Sequence, residues 1–275
     1  MDKYISKVIV AIAIGLIAMA CQQQSTTQNN DVEGRTAVRA DTLTYTTESY
    51  RHASEHIMET SEVTDTTVFK ASFPKFNDED LNQIIRYAVT SSDTASIEEV
   101  ANEFITEYDG HVDTYDYVHA WFIRKDIAVQ HNTPSYVSLV SDGQSYTGGA
   151  HGNYYTRYIH YDTHEKQELV LSDWVSPERL NELTAIGERF FRIQEGLTPN
   201  QDLDNYFFDY GRFSLPDNFF MANDSLHFVY NIYEIRSYAE GQTTLSVPFD
   251  EIAHLLTEKA LVIHEEITNK EILSR

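Results

Sequence analysis

A single cysteine, Cys21, is present in the 275-residue chain. One thiol cannot form a disulfide within the chain, so a hydrophobic core has to stabilise the fold. The composition can supply that core, because 41% of the residues are hydrophobic and the chain has 18 tyrosines and 14 phenylalanines. The sequence therefore predicts one or two core-stabilised domains rather than a small disulfide-linked scaffold.

The position of Cys21 predicts export. Two lysines precede an apolar run over residues 8–20, which has the length of a signal-peptide core and is shorter than the about 20 residues of a transmembrane helix. Residues 18–20 fit an ordinary A-x-A cleavage site, but with the cysteine they also resemble the lipobox of bacterial lipoproteins, apart from an alanine where leucine is usual. The lone cysteine favours the lipoprotein, with residues 1–20 as signal peptide and Cys21 as the lipidated residue. The alternative is a soluble secreted protein.

The segment after the cysteine is rich in Gln, Ser, Thr and Asn and has no apolar period. We interpret residues 21–40 as the lipidated cysteine and a flexible tether that lifts the folded part off a membrane. The predicted location is the cell envelope, lipid-anchored and extracytoplasmic, facing the periplasm or at the surface.

The chain is strongly acidic, with a net charge of −23. Residues 1–20 carry two lysines and one aspartate, a net +1, so their removal changes the net charge to −24. This charge argues against nucleic-acid binding and against electrostatic adhesion to anionic lipid. It is compatible with a basic protein partner, although on charge alone solubility is the better explanation.

Apolar periodicity predicts an α+β fold with antiparallel sheets, helices packed on one side and two small consecutive modules. The domain prediction is an N-terminal module at 41–130, a C-terminal module at 131–260 and a charged tail at 261–275. Predicted strands cover residues 43–50, 68–74, 117–130, 136–140, 154–161, 219–221, 226–232 and 243–247, and predicted helices cover residues 81–89, 96–108, 176–191 and 248–256.

A glycine-rich loop at residues 147–153 is the first candidate binding segment. Such a loop can present backbone N–H groups or a histidine to a ligand, but its glycines can equally serve a tight connection with positive φ. The candidate binding residues here are Tyr146, Gly148, Gly149, His151 and Asn153.

An aromatic run at residues 205–210 is the second candidate segment. Aromatic rings beside acidic groups suit a basic, amphipathic partner, whereas the alternative is a loop whose rings fill the core. Its candidate binding residues are Tyr206, Phe207 and Tyr210. The tyrosines at positions 230, 233 and 238 alternate in or near a strand, so some of them must face outward.

The sequence contains no complete catalytic set. There is no G-x-S-x-G elbow, and neighbouring acidic residues point in different directions on a helix. The histidines are scattered, so we predict no metal site, no cofactor and no catalytic residue. An envelope hydrolase that uses His151 with a nearby carboxylate is the enzymatic alternative.

Several segments together resemble two envelope modules, the domains of unknown function 4163 and 3298. The resemblance covers roughly residues 42–258 and is most specific in the second module. It is carried by residues 145–153, 158–162, 169–173, 228–235, 238–241 and 247–249.

The resemblance implies a sensing or binding module rather than an enzyme. These modules occur in lysozyme-binding ectodomains of anti-sigma factors and ahead of the catalytic domain of a peptidoglycan deacetylase. We therefore expect a lipid-anchored binding module for lysozyme or cell-wall glycan. A hydrolase and a purely structural lipoprotein are the alternatives.

Overall fold

Two β-sheets, one of six strands and one of three, organise the described part of the chain in a computed structural model. The structure describes residues 42–59, 64–115, 119–222 and 224–274, and these described residues belong to one compact unit. The predicted signal peptide, Cys21 and the predicted tether lie outside the described residues.

The larger sheet contains six strands in sequence order. They are β1 (Tyr45–Glu59), β2 (Thr64–Phe76), β3 (Phe122–Asn132), β4 (Tyr136–Tyr146), β5 (Asn153–Asp162) and β6 (Gln167–Glu168). The α+β class with antiparallel sheets is confirmed, but β2 and β3 form a parallel pair. They are parallel because two helices, α1 (Glu79–Thr90) and α2 (Ile97–Val112), carry the chain back across the sheet between them.

Local sequence explains both of these helices. Asp78 caps α1, where its Oδ1 accepts from the N–H of Leu81 at 3.2 Å. Ser96 and Glu99 form the predicted capping box of α2. The apolar stripes of α1 and α2 pack on one face of the large sheet. The core between them buries Phe69, Leu81, Ile85, Phe104, Tyr108, Leu139 and Ile159.

The smaller sheet is antiparallel and has its own core. Its strands are β7 (Phe219–Ala222), β8 (Ser225–Tyr230) and β9 (Thr243–Pro248), and the helices in this part of the chain are α3 (Leu171–Trp174), α4 (Leu180–Gln194) and α5 (Phe249–Ile252). The core contains Trp174, Leu183, Phe191, Phe219, Phe228 and Leu245. The predicted boundary between residues 130 and 131 lies inside β3, so the large sheet contains residues of both predicted modules.

The segment predicted as a charged tail, residues 261–275, largely forms helix α6 (Glu258–Ser274). Ala260, Ile263 and Ile267 make a buried stripe on this helix. Glu266 accepts hydrogen bonds from the hydroxyls of Thr133 at 2.7 Å and Ser135 at 2.6 Å. The sparse apolar positions are hidden among charges in the sequence, and only their burial shows that the helix belongs to the folded unit.

Side-chain amides join the second half of the chain to the edge of the large sheet. Asn231 accepts from the backbone N–H of Thr156 at 2.8 Å, and Asn218 accepts from that of Tyr158 at 2.8 Å. These contacts satisfy β5 backbone groups that would otherwise remain open at the sheet edge. None of the described helices is both long enough and apolar enough to span a bilayer.

Candidate functional site

The glycine-rich loop connects β4 to β5, and its conformation requires glycine. Gly148 and Gly149 have φ values of 96° and 94°, which side-chain-bearing residues rarely adopt. The hydroxyl of Tyr146 donates to the carbonyl of Gly149 at 3.1 Å. A Cβ on Gly152 would lie 2.8 Å from the backbone oxygen of Ser145. The glycines therefore have a structural role, and they place His151 at the surface.

His151 is held by tyrosines of a different loop. Its ring stacks on Tyr238 with centroids 3.8 Å apart and an interplanar angle of 22°. Its Nδ1 lies 2.8 Å from the carbonyl of Gly152, which can only accept, so Nδ1 carries the proton and Nε2 accepts from the hydroxyl of Tyr233 at 3.3 Å. Tyr154 meets Tyr238 edge-on at 5.9 Å. We call these four residues the aromatic cluster.

Both tyrosine partners of His151 lie in the loop over residues 231–241, which connects β8 to β9. Tyr233 is 53% exposed and has a φ of 67°, a conformation uncommon for a residue other than glycine. Neither Tyr233 nor Tyr238 is among the predicted binding residues. The sequence signals for them are the density of tyrosines at 230, 233 and 238 and the resemblance segments 228–235 and 238–241. Tyr230 differs because it is buried.

The aromatic run at 205–210 lies beside the same loop. The backbone N–H of Phe207 donates to the carbonyl of Ile235 at 3.0 Å. Phe207 is 57% exposed and Tyr210 is 96% exposed, with a φ of 55° at Tyr210. Tyr206 instead packs on Phe191 with ring centroids 5.0 Å apart. The loop 231–241 therefore brings the two predicted segments together.

An ion pair fixes this loop to the end of α4. Arg236 donates to Glu195, and both side chains are mostly buried. The hydroxyl of Tyr206 also donates to Glu195, at 3.0 Å, and the Arg236 guanidinium lies 5.1 Å from the centroid of the Tyr206 ring. Burial, followed by the neighbouring Glu195 carboxylate, raises the pKa of Tyr206. These contacts between Arg236, Glu195 and Tyr206 thus hold the loop 231–241 against the end of α4.

Glu234 lines two adjacent depressions in the surface. The smaller has a volume of 220 Å³ and includes Phe207 and Asp209. The larger, which we call the edge groove, has a volume of 630 Å³ and follows the edge of β5. It is lined by Tyr155, Arg157, Tyr158, Glu168, Asp217, Asn218, Asn231 and Glu234 together with neighbouring apolar residues. Within the groove, Arg157 pairs with Glu168 at 2.6 Å.

A buried histidine lies at the base of the edge groove. His160 is 3% exposed, and its Nε2 donates to the carbonyl of Phe219 at 2.8 Å. Its Nδ1 accepts from the hydroxyl of Tyr136 at 2.6 Å. Burial lowers the pKa of His160 to about 4, so the ring is neutral at physiological pH. This arrangement joins the two sheets rather than presenting a reactive group.

Acid–base and metal chemistry receive little support from the described residues. Within them, no group of three or more His, Cys, Asp or Glu side chains is placed to hold a metal ion. The hydrogen bonds of His151 go to Gly152 and Tyr233, and no carboxylate of the described chain shares them. What the arrangement offers is exposed aromatic rings beside carboxylates, which suits binding.

Two segments of the chain match protein-family models. Residues 172–250 match the family described as Protein of unknown function (DUF3298), which confirms a 3298 domain inside the predicted C-terminal module. The segment 145–153, on which the resemblance partly depends, lies in the other match. Residues 60–154 match the family described as Deacetylase PdaC. The resemblance to domain 4163 stays a prediction.

Solved structures share the fold. A member of the 3298 family from Bacteroides fragilis has a TM-score of 0.63 and 18% identity, with 80% of this chain and 96% of that one covered. A 3298-family protein from Pseudomonas aeruginosa has a TM-score of 0.62 and 17% identity, with 80% and 97% covered. At these identities the likeness concerns the fold alone. No functionally curated protein matches the chain.

Proposed function

We propose that this chain is an extracytoplasmic binding module of the cell envelope, anchored by a lipid on Cys21, and that its ligand is a basic, lysozyme-like protein. The matches to the 3298 and PdaC families support an envelope module. The predicted signal peptide and the cysteine that follows it support the anchor.

One observation carries the choice of ligand. The hydrogen bond from Phe207 to Ile235 places the exposed Phe207 of the aromatic run beside the loop that carries Tyr233 and Tyr238. Exposed rings of both segments thus share one region with the carboxylates of Asp209 and Glu234. Exposed aromatic rings beside carboxylates can bind the lysine and arginine side chains of a basic protein.

Short-range contacts and long-range charge attraction would both favour a basic partner. An arginine or lysine of the partner gains a cation–π contact on a tyrosine face and an ion pair with a neighbouring carboxylate. The net charge of −23 attracts a basic protein over longer range and raises its association rate. Exposed aromatic anchors commonly dominate the binding energy of such interfaces.

Titration calorimetry of residues 22–275 against lysozyme tests this proposal. We expect saturable binding that weakens from low to physiological salt, because part of the attraction is screened. Replacing Phe207 and Tyr210 together by alanine should weaken binding at least about tenfold, the effect of losing about 1.4 kcal/mol. Tyr87→Ala is the matched control, since Tyr87 is 43% exposed on α1.

Two outcomes would contradict the lysozyme proposal. One is no heat at either salt concentration, and the other is an equal loss of affinity in the Tyr87→Ala control. Cell-wall glycan is the second candidate, because the edge groove offers Tyr155, Arg157 and Glu168 for stacking and hydroxyl recognition. Binding of glycan fragments that is nearly independent of salt, and that Arg157→Ala abolishes, would favour it.

We also propose that the module is not an enzyme. The match to Deacetylase PdaC makes deacetylation the activity to test. Incubation of residues 22–275 with N-acetylated glycan fragments, with and without added divalent metal ions, should release no acetate above the buffer blank. Acetate release that His151→Ala removes would overturn this part of the proposal, because His151 is the exposed histidine of the candidate site.

A further inference from the structure

Three basic residues stand side by side on the large sheet. Arg51 of β1 is the register partner of Lys70 of β2, which is the register partner of Arg124 of β3. Register partners point to the same face of a sheet. The neighbouring positions Phe69 and Ala71 face the helices and are buried, so the three basic side chains project from the opposite face, where all three are exposed.

This arrangement is an electrostatic exception in an acidic protein. Like charges on directly opposite strand positions repel and destabilise a sheet. Acidic residues are abundant, yet within the described chain none of the three forms an ion pair. By contrast, Arg157, Arg179 and Arg189 each pair with a glutamate. The carboxylates of Asp126 and Asp142 lie one row away on the same face and, in the described chain, form no ion pair with the three basic residues, so an anion from outside the chain could bind them directly.

The row continues across two more strands. Gln144 of β4 is the register partner of Arg124, and Tyr154 of β5 is the register partner of Gln144. All five side chains can donate hydrogen bonds to an anion. At a strand spacing of about 4.8 Å, the row is about 19 Å long. We call these five residues the donor row; it ends at Tyr154 of the aromatic cluster.

We propose that the donor row binds a linear polymer that carries phosphate groups and runs across the strands of the large sheet. Arginine matches phosphate through its planar fork of donors, and lysine adds a mobile positive charge. The three basic residues lie on three adjacent strands, so the row they form suits an extended partner. The net charge of −23 that argues against nucleic-acid binding acts over the whole surface and is screened by salt, whereas the donor row would act on phosphates in direct contact with it. This proposal does not depend on the lysozyme-binding role.

The neighbouring row argues for a linear polymer rather than an anionic membrane. Asp126 and Asp142 are register partners two positions away on the same face, and both are exposed. A flat layer of anionic lipid would cover this acidic row as well and be repelled by it. A single polymer chain occupies only the donor row.

Binding of long-chain inorganic polyphosphate to residues 22–275, measured by fluorescence anisotropy of the labelled polymer, tests the proposal. If three phosphates are neutralised, the affinity should fall about twentyfold from 50 to 200 mM salt, since each contributes about 0.7 to the logarithmic slope for a single strand. The triple variant R51Q/K70Q/R124Q should lose at least about tenfold in affinity. Its melting temperature should change little, because all three side chains are exposed and none forms an ion pair in the described chain.

A charge-matched control separates the row from overall charge. K75Q/R179Q/R189Q removes three exposed basic residues outside the row and should retain polyphosphate binding. Equal loss in both triple variants would overturn the proposal. Binding to vesicles with anionic lipid but not to polyphosphate would also overturn it. So would self-association that R51Q/K70Q/R124Q abolishes, since the partner would then be the acidic surface of a second copy.

Discussion

Replacing Glu195 by alanine is expected to lower the free energy of unfolding by about 3 kcal/mol. Glu195 and Arg236 have side-chain exposures of only 15% and 20%, so the substitution would leave a mostly buried guanidinium without its counter-ion. Arg236 also has a buried Nε with no hydrogen-bond partner among the described residues, so it has little other compensation. The hydroxyl of Tyr206 would lose its acceptor as well.

Urea unfolding of Glu195→Ala at neutral pH measures this loss. Glu182→Ala is the matched control, because Glu182 pairs with Arg179 at the exposed surface and should change stability much less. Replacing both members, as Glu195→Leu with Arg236→Met, should recover most of the lost stability, because no buried charge remains. Equal stability of Glu195→Ala and the wild type would show that water solvates the guanidinium in place.

The same variant has a functional readout. Arg236 lies in the loop 231–241, three residues after Tyr233 and two before Tyr238. If the ion pair positions this loop, Glu195→Ala should also weaken lysozyme binding under conditions where the protein is still folded. Unchanged affinity would separate the stability of the loop from its role in the proposed interface.

Lowering the pH from 6.5 to 4 is expected to destabilise the fold by about 3 kcal/mol through His160. Burial lowers the pKa of His160 to about 4, from 6.5 for an exposed histidine; His131 and Arg157 contribute to this lowering. Between these two pH values the unfolded chain binds a proton that the folded chain does not. Stability is therefore full above pH 6.5, decreases as the pH falls, and levels off for this residue below about pH 4.

The variant His160→Gln isolates this contribution. A glutamine amide can donate to Phe219 and accept from Tyr136, so both buried partners keep a hydrogen bond. Urea unfolding at pH 7, 5.5 and 4 should show a shallower pH dependence for the variant. A smaller dependence should remain, because burial also lowers the pKa of His227. An identical pH dependence in variant and wild type would show that His160 does not titrate differently in the fold.

The carboxylates act in a lower pH range. Hydrogen bonds from Leu81 and Tyr161 outweigh burial and lower the pKa of Asp78, and Lys259 does the same for Asp162. These groups contribute stability that is lost only as the pH falls below the ordinary carboxyl pKa of about 3.9. Glutamates with lowered pKa values begin to lose their contribution near pH 4.5, so the pH range from 6.5 to 5 reports chiefly on the histidines.

Secondary structure was largely predictable because it depends on neighbours in sequence. The stripe from Leu81 to Val89 and the capping box at Ser96 are local signals, and both produce the expected helices. The strand positions likewise follow the alternation of residue types. Local signals failed at α6, where Ala260, Ile263 and Ile267 are too few to stand out among charged residues.

The candidate site was only half predictable. The glycine-rich loop and the aromatic run could be identified from composition, and His151, Phe207 and Tyr210 are indeed exposed. Their common neighbour, the loop 231–241, could not be identified as such, because it meets them through contacts between residues far apart in the chain. Tyr206 shows the limit of composition, since it lies in the same run but packs on Phe191.

The sequence by itself determined the absence of a disulfide within the chain, the acidic charge, the predicted export signal and the order of most helices and strands, because these depend on residue identity and local spacing. Only the tertiary structure decided that β2 and β3 run parallel, and therefore that Lys70 stands beside Arg124. Likewise, only the tertiary structure showed that Tyr233 and Tyr238 contact His151. Strand register and loop contacts join residues distant in sequence, and they are set by how the whole core packs.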